Sequence, residues 1–162
     1  MGLDIAAYRR LKVVEYPKFD EYGDLENWDT EWLPGESMEW SEEHFPGRGE
    51  GVDSKTVYTW EEEFGFRAGG YGAYNWWRSQ LNLFANSDHP SNDFMELINF
   101  ADNEGVIGPV VSKKLVEDFE KNEEKAKAFS KTLKEGKWWF GQYLNWKKAF
   151  KMASDNGAVD FH

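Results

Sequence analysis

The chain has no cysteine, which excludes disulfides and thiolate metal sites and fits a cytosolic setting. It has no apolar run approaching the roughly 20 residues that cross a bilayer. The opening MGLDIAAYRRLK has no basic segment followed by an apolar one, so no signal peptide is expected. Histidine is scarce: His44, His89 and His162 lie far apart, and no HxH or HExxH spacing supports a zinc hydrolase. There is no GxSxG elbow, no Walker loop and no GxGxxG dinucleotide fingerprint. Excess positive charge is missing too. The net charge of −11 argues against general nucleic-acid binding, which needs a cationic surface.

What the chain does have is aromatic and charged side chains together: 17% aromatic and 30% charged, over 162 residues. That composition is neither disordered nor membrane-spanning, and the length suits one domain with a real core. The charge is unevenly spread. Residues 1–63 hold 17 acidic against 6 basic side chains, whereas residues 64–162 hold 13 of each. Within the second part, residues 109–151 carry 11 lysines against 6 acids.

Short alternations in 3–16 predict a strand, as does KTVYTW (55–60), with FGFR (64–67) pairing to it across a Glu61–Glu63 turn. Residues 17–54 show no period; they mix acids and prolines with Trp28, Trp32 and Trp40, and read as a long acidic, Trp-rich insertion or loop. Such a segment either tucks its aromatics against the core or forms an acidic aromatic surface that docks a basic partner or mimics nucleic acid. Tyr74, Trp77, Leu81 and Phe84 form one face of a helix over about 72–86. Residues 87–93 read as a loop, and 94–108 suits a short helix or a buried strand. Pro109 starts a helix that runs to about 130, broken by Gly136, and 138–154 forms the last one, with Gly157 as its C-cap. AVDF (158–161) ends the pattern as a strand. The expected fold is α+β, one domain, with a small and mostly antiparallel sheet packed with about three helices.

Two stretches are candidates for chemistry. In FGFRAGGYGAYNWWRSQL (64–81), Gly69 and Gly70 allow close backbone approach before a helix N-terminus, a setting that suits a phosphate. Arg67 and Arg78 flank it as forks for that phosphate, and Tyr71, Tyr74 and Trp76 are rings on which a base stacks, with Asn75 on the polar side of the helix. A plain glycine turn into a core helix explains the same residues. In ADNEGVIG (101–108), Asp102, Asn103 and Glu104 suit ribose or base contacts, a divalent cation, or simply a turn. Asp102, Glu104 and His162 are the residue types of an acid/base hydrolase, but nothing in the spacing brings them together. The lysines of 113–134 are most simply a solvated helix face; docked on a neighbour's acidic segment, they would build a homo-oligomer.

MGLDIAAYRRL, FRAGGYGAYNWWRSQL, FMELINFADNEGVIGPVVSKKLVEDF and the terminal AVDFH resemble, in order and wording, a family of small phage and prophage proteins. The blocks are spread over almost the whole chain, with 17–54 outside them. The resemblance implies a phage origin and the cytoplasm of an infected bacterial host, and it hands over no chemistry. Small accessory phage proteins often act against host defence by binding a host protein or sequestering a nucleotide second messenger. The expectation is therefore a non-catalytic binder of a nucleotide-derived immune signal, needing no cofactor, no metal and no membrane. In it Arg67, Gly69, Gly70, Tyr71, Tyr74, Asn75, Trp76, Arg78, Asp102, Asn103 and Glu104 line the ligand. The alternatives are a protein-binding inhibitor of a host defence or nucleic-acid-handling protein, acting through the acidic aromatic surface, and a nucleotide hydrolase.

Overall fold

The alternation of GLDIAAYR sends Leu3, Ile5 and Ala7 to one side of strand β1 (Gly2–Arg9), where all three are buried. In the computed structural model, which describes residues 2–162, β1 lies inside a four-stranded antiparallel sheet. The sheet has the order β4-β1-β6-β5, where β4 is Glu62–Gly70, β5 Gly105–Ile107 and β6 Ala158–Phe161. A separate two-stranded ribbon pairs β2 (Lys12–Val13) with β3 (Tyr58–Thr59). Six helices complete the α+β fold: α1 (Gly35–His44), α2 (Tyr71–Ala85), α3 (Met95–Ile98), α4 (Pro109–Lys121), α5 (Glu123–Ser130) and α6 (Gly136–Ala153).

The helix-facing side of the sheet carries the main core. Tyr74, Trp77, Leu81 and Phe84 of α2 are buried, as the helical spacing predicts, and so are Trp139, Tyr143, Trp146 and Phe150 of α6. They cluster with Leu3, Ile5, Ala7, Val159 and Phe161 of the sheet and with Leu115 and Phe119 of α4. The two longest helices are tied reciprocally. Trp77 Nε1–H donates to the Trp139 carbonyl at 3.0 Å, and Trp139 Nε1–H donates to the Trp77 carbonyl at 3.1 Å. Trp77 and Trp139 thereby each keep a partner for a buried indole N–H.

The opposite side of the sheet is covered by the acidic insertion. Tyr8, Val106 and Ala158 form a second apolar cluster with Leu11, Trp32, Met38 and Tyr58. Tyr8 lies 5.0 Å from Trp32 and 4.5 Å from Trp60, ring centre to ring centre. Residues 17–54 are therefore a third layer, not a loose appendage, and they contain a helix that their apolar spacing does not announce. Only Met38 and Ser41 of α1 are buried. The helix is docked by polar groups: Ser37 Oγ accepts from the Gly105 N–H at 3.0 Å and Ser41 Oγ from the Val106 N–H at 3.3 Å. Gly105, at φ +126°, leaves the room that Ser41 and Phe100 fill.

Several local expectations are corrected. FGFR does not pair with 55–60. It belongs to β4, which runs against β1 from Gly2↔Gly70 to Arg9↔Glu62, so Glu62 and Glu63 are strand, not turn. The acids there face arginines: Arg9 pairs with Glu62 at 2.9 Å and Arg10 with Glu61 at 3.0 Å. The helix expected over 109–130 breaks at Asn122, whose side-chain amide donates to Asp93 and to the Asp118 carbonyl. Segment 94–108 holds both α3 and β5. At the end of α6 the left-handed residue is Asn156, at φ +50°, rather than Gly157. Of the lysine-rich face, Lys114 and Lys121 are ion-paired, to Glu96 and Asp118 and to Asp93 respectively.

Candidate functional site

Residues 67–78 do not converge on one cradle. Arg67 lies on β4 and pairs with Asp4 of β1 at 3.1 Å, its guanidinium lying over Gly2. Gly69 follows a bulge at Ala68 and sits at φ +125°, where a side chain is strained. Gly70 is then the extended N-cap of α2, and no side chain caps that helix. The glycines make the strand-to-helix corner. Tyr74 is fully buried, so its ring belongs to the core and offers no face for a base. Burial pushes its hydroxyl pKa far up. Trp76 is half-buried, its ring 6.3 Å from Trp138.

Arg78 has a structural task. Its Nη1 donates to the carbonyls of Phe100 and Leu97 beyond and within α3, and Nη2 donates to Asn75 Oδ1 at 2.7 Å. Asn75 Nδ2 in turn donates to Asp102 Oδ2 at 2.8 Å. Arg78, Asn75 and Asp102 thus form one chain that clamps the 97–102 segment to α2. Arg67 is on a different network, so the two guanidinium groups do not form a joint phosphate fork.

Three predicted residues do meet. Tyr71, Asn103 and Glu104 line a depression of about 470 Å³ with Trp32, Ser37, Asp160 and His162. Asp160 faces the acidic insertion because β6 alternates: Val159 and Phe161 turn to the helices, and Asp160 sits opposite Ala6 and Val106. His162 Nδ1 is 3.4 Å from Asp160 Oδ2. Burial raises the Asp160 carboxyl pKa, and the hydrogen bond that the His162 imidazole donates to Asp160 raises that of His162. Glu104 and His162 are therefore brought to one depression while Asp102 is not. Asp160 and Ser37 were missed by sequence reasoning, and Trp32 was read there only as part of the acidic insertion. The one signal for Asp160 was a lone acid inside the apolar strand AVDF. No lysine or arginine lines the depression, so it favours hydrogen-bond donors over phosphate.

A second surface lies on the insertion. Tyr16, Tyr22 and Trp28 are 87%, 82% and 76% exposed, and Val13 and Phe19 are exposed beside them in sequence. Local structure fixes their presentation. Phe19 bridges Leu25, and Asp20 Oδ1 accepts from the N–H groups of Tyr22 and Asp24 at 2.8 and 3.0 Å. The N–H groups of Thr30 and Glu31 both donate to the Asn27 carbonyl, closing a turn around Trp28. Glu15, Asp20, Glu21, Asp24, Glu26, Asp29 and Glu31 run through the same stretch, and none of them is in an ion pair among the described residues. With Lys18 as the one basic side chain in 15–31, the lobe is a net acidic surface studded with aromatic rings.

Among the described residues no group of three or more histidine, aspartate or glutamate side chains is arranged to hold a metal, and no helix is long and apolar enough to cross a membrane. Comparison with protein-family models, with curated proteins and with solved structures finds no match to this chain.

Proposed function

We propose that this protein is a phage accessory protein that acts by binding, docking its acidic aromatic lobe onto a basic surface of a host defence or nucleic-acid-handling protein and so blocking it. The observation that carries this reading is the exposure of Val13, Tyr16, Phe19, Tyr22 and Trp28 on one short segment, interleaved with seven carboxylates that have no ion pair among the described residues. Tyrosine and tryptophan are the side chains that anchor protein interfaces. The carboxylates steer a basic partner and reject an acidic one. The phage setting comes from the sequence resemblance alone.

A second reading, sequestration of a nucleotide-derived signal, is favoured by the meeting of Tyr71, Asn103 and Glu104 in the depression beside Asp160 and His162. That lining suits a nucleoside portion, with Arg67 the one predicted guanidinium not spent on the 97–102 clamp.

One experiment tests both. The immobilised protein and a Tyr22→Ala/Trp28→Ala variant are exposed to lysate of phage-infected bacteria. The expected result is a basic protein retained by the wild type, released by salt, and lost at least about tenfold by the variant. Equal retention by both, or retention indifferent to salt, overturns the docking reading. Mass spectrometry of small molecules released by heat from the same samples tests the second reading. An intact nucleotide from wild type but not from Tyr71→Ala supports it, and its absence removes it.

A further inference from the structure

The two edges of the main sheet are finished differently. β5 is three residues long and is covered by α1, whose Ser41 Oγ accepts from the Val106 N–H. β4 is nine residues long, and β1 is its one strand neighbour among the described residues. Asp4 exchanges both backbone hydrogen bonds with His162, at 2.8 and 2.9 Å, so its backbone faces β6. Alternation turns Ile5 and Ala7 the other way, to Phe66 and Phe64 of β4. Glu63, Gly65 and Arg67 therefore point their N–H and C=O groups off the sheet. Gln142 Nε2 donates to the Arg67 carbonyl at 3.2 Å, which leaves that oxygen a second lone pair. An open edge of this length is a template for pairing with another chain.

The segment EFGFR (63–67) is its own complement. Turned antiparallel about Gly65, it sets acid against base and phenylalanine against phenylalanine. Glu61 and Glu62 are paired at home with Arg10 and Arg9, whereas Glu63 is exposed and has no ion pair among the described residues. Arg67 is exposed beside Asp4. Phe64 and Phe66 stack at 5.6 Å, and neither is fully buried. Nothing inside the chain asks for glycine at 65: a Cβ there would meet only the Ile5 carbonyl, at an ordinary 3.5 Å. A strand glycine often marks the close approach of another backbone. We propose that β4 pairs with β4 of a second copy of this chain, about a two-fold axis at Gly65, and so joins the two sheets into one. Gly65 exchanges backbone hydrogen bonds with the partner's Gly65. On one face Glu63 meets the partner's Arg67; on the other, Phe64 meets the partner's Phe66. Opposite charges and aromatic rings placed directly across strands are the stabilising pairs. The dimer shares no residue with the acidic lobe, so neither reading depends on the other.

Sedimentation equilibrium of the full chain from roughly 1 μM to 1 mM reads the association. The mass is expected to rise from that of one chain toward that of two. Amide hydrogen exchange locates the contact. Glu63, Gly65 and Arg67 are expected to exchange at least about tenfold more slowly in the dimer, while Phe64 and Phe66, already bonded to β1, change little. Two charge reversals test the register. Glu63→Arg alone sets cations opposite each other, and Arg67→Glu alone sets anions, so each is expected to weaken the dimer about tenfold or more. An equal mixture of the two variants restores both ion pairs and is expected to associate as the wild type does, which a folding defect in either variant would not allow. A chain that stays monomeric at the highest concentration overturns the proposal. So does a dimer that leaves those three amides unprotected, or a mixture that associates no better than its components.

Discussion

Arg67 and Arg78 are the same residue type eleven positions apart, yet their surroundings give them different worth. Arg67 is half in solvent, and its pair with Asp4 is a surface ion pair. Arg78 donates to carbonyls at the end of α3 and to Asn75, in a partly buried network. Arg67→Ala is therefore expected to cost about 0–1 kcal/mol. Arg78→Ala removes charge-assisted bonds to backbone and is expected to cost about 1.5–3 kcal/mol. Urea denaturation with an unchanged slope measures both, and equal costs would refute the assignment. The distinction was not legible in the sequence, because Arg78 finds its acceptors at Leu97 and Phe100 through tertiary folding. The stripe Tyr74, Trp77, Leu81 and Phe84 was legible, since burial of a helix face leaves its period in the chain.

At the scale of elements, α2 and α6 could be read because each buries an apolar stripe. α1 could not, because it has only Met38 and Ser41 inside and is held through hydroxyl groups. Ser37→Ala with Ser41→Ala is expected to leave the Gly105 and Val106 N–H groups without their acceptors, at about 1–3 kcal/mol for each buried donor. Amide hydrogen exchange should then quicken at Gly105, Val106 and along α1 before other elements respond. Unchanged protection there would mean that the serines do not dock the helix. Strand pairing failed to read for a related reason. A local hairpin of 55–60 with 64–67 is the short-range choice, but β4 finds a long partner in β1, and the bulge at Ala68 with Gly69 closes that register. The α4–α5 break hides inside a continuous helical face because Asn122 is turned by contacts to Asp93 and Asp118.

Across the whole molecule, two raised and lowered titrations set how stability depends on pH. The hydrogen bond to Asp160 raises His162 above its ordinary value of about 6.5. Its contribution is complete below that value and is lost as pH rises through the folded-state value. Asp155 runs the other way. The hydrogen bond from Arg9 lowers its pKa, so its contribution is present above the usual aspartate range and is lost as pH falls through the folded-state value. Stability from denaturant titration is thus expected to fall as pH rises above about 6.5 and through the folded-state value of His162, and His162→Gln should flatten that limb while leaving the acid limb in place. An imidazole titration by NMR that lands below about 6.5 would contradict the pairing. The acidic excess, meanwhile, lies on one layer. The lobe over the second sheet face keeps its charge unpaired, whereas lysines of the helical layer are in part neutralised at home. That asymmetry is what the proposed docking onto a basic partner requires.

The sequence by itself determined the α+β class, the faces of α2 and α6, the final strand and the concentration of acid and aromatic side chains before residue 54. These are properties of composition and local period, which are written in neighbouring residues. Only the tertiary structure decided which arginine is structural, that Glu104 and His162 share a depression while Asp102 turns to Asn75, and which tryptophans of the insertion are core. Trp32 is buried under Tyr8 and Trp28 is left in solvent because the chain pairs its backbone at Trp32 with Tyr58 and turns outward just before it. Two tryptophans four residues apart look alike in the chain, and the sheet face beneath one of them makes the difference.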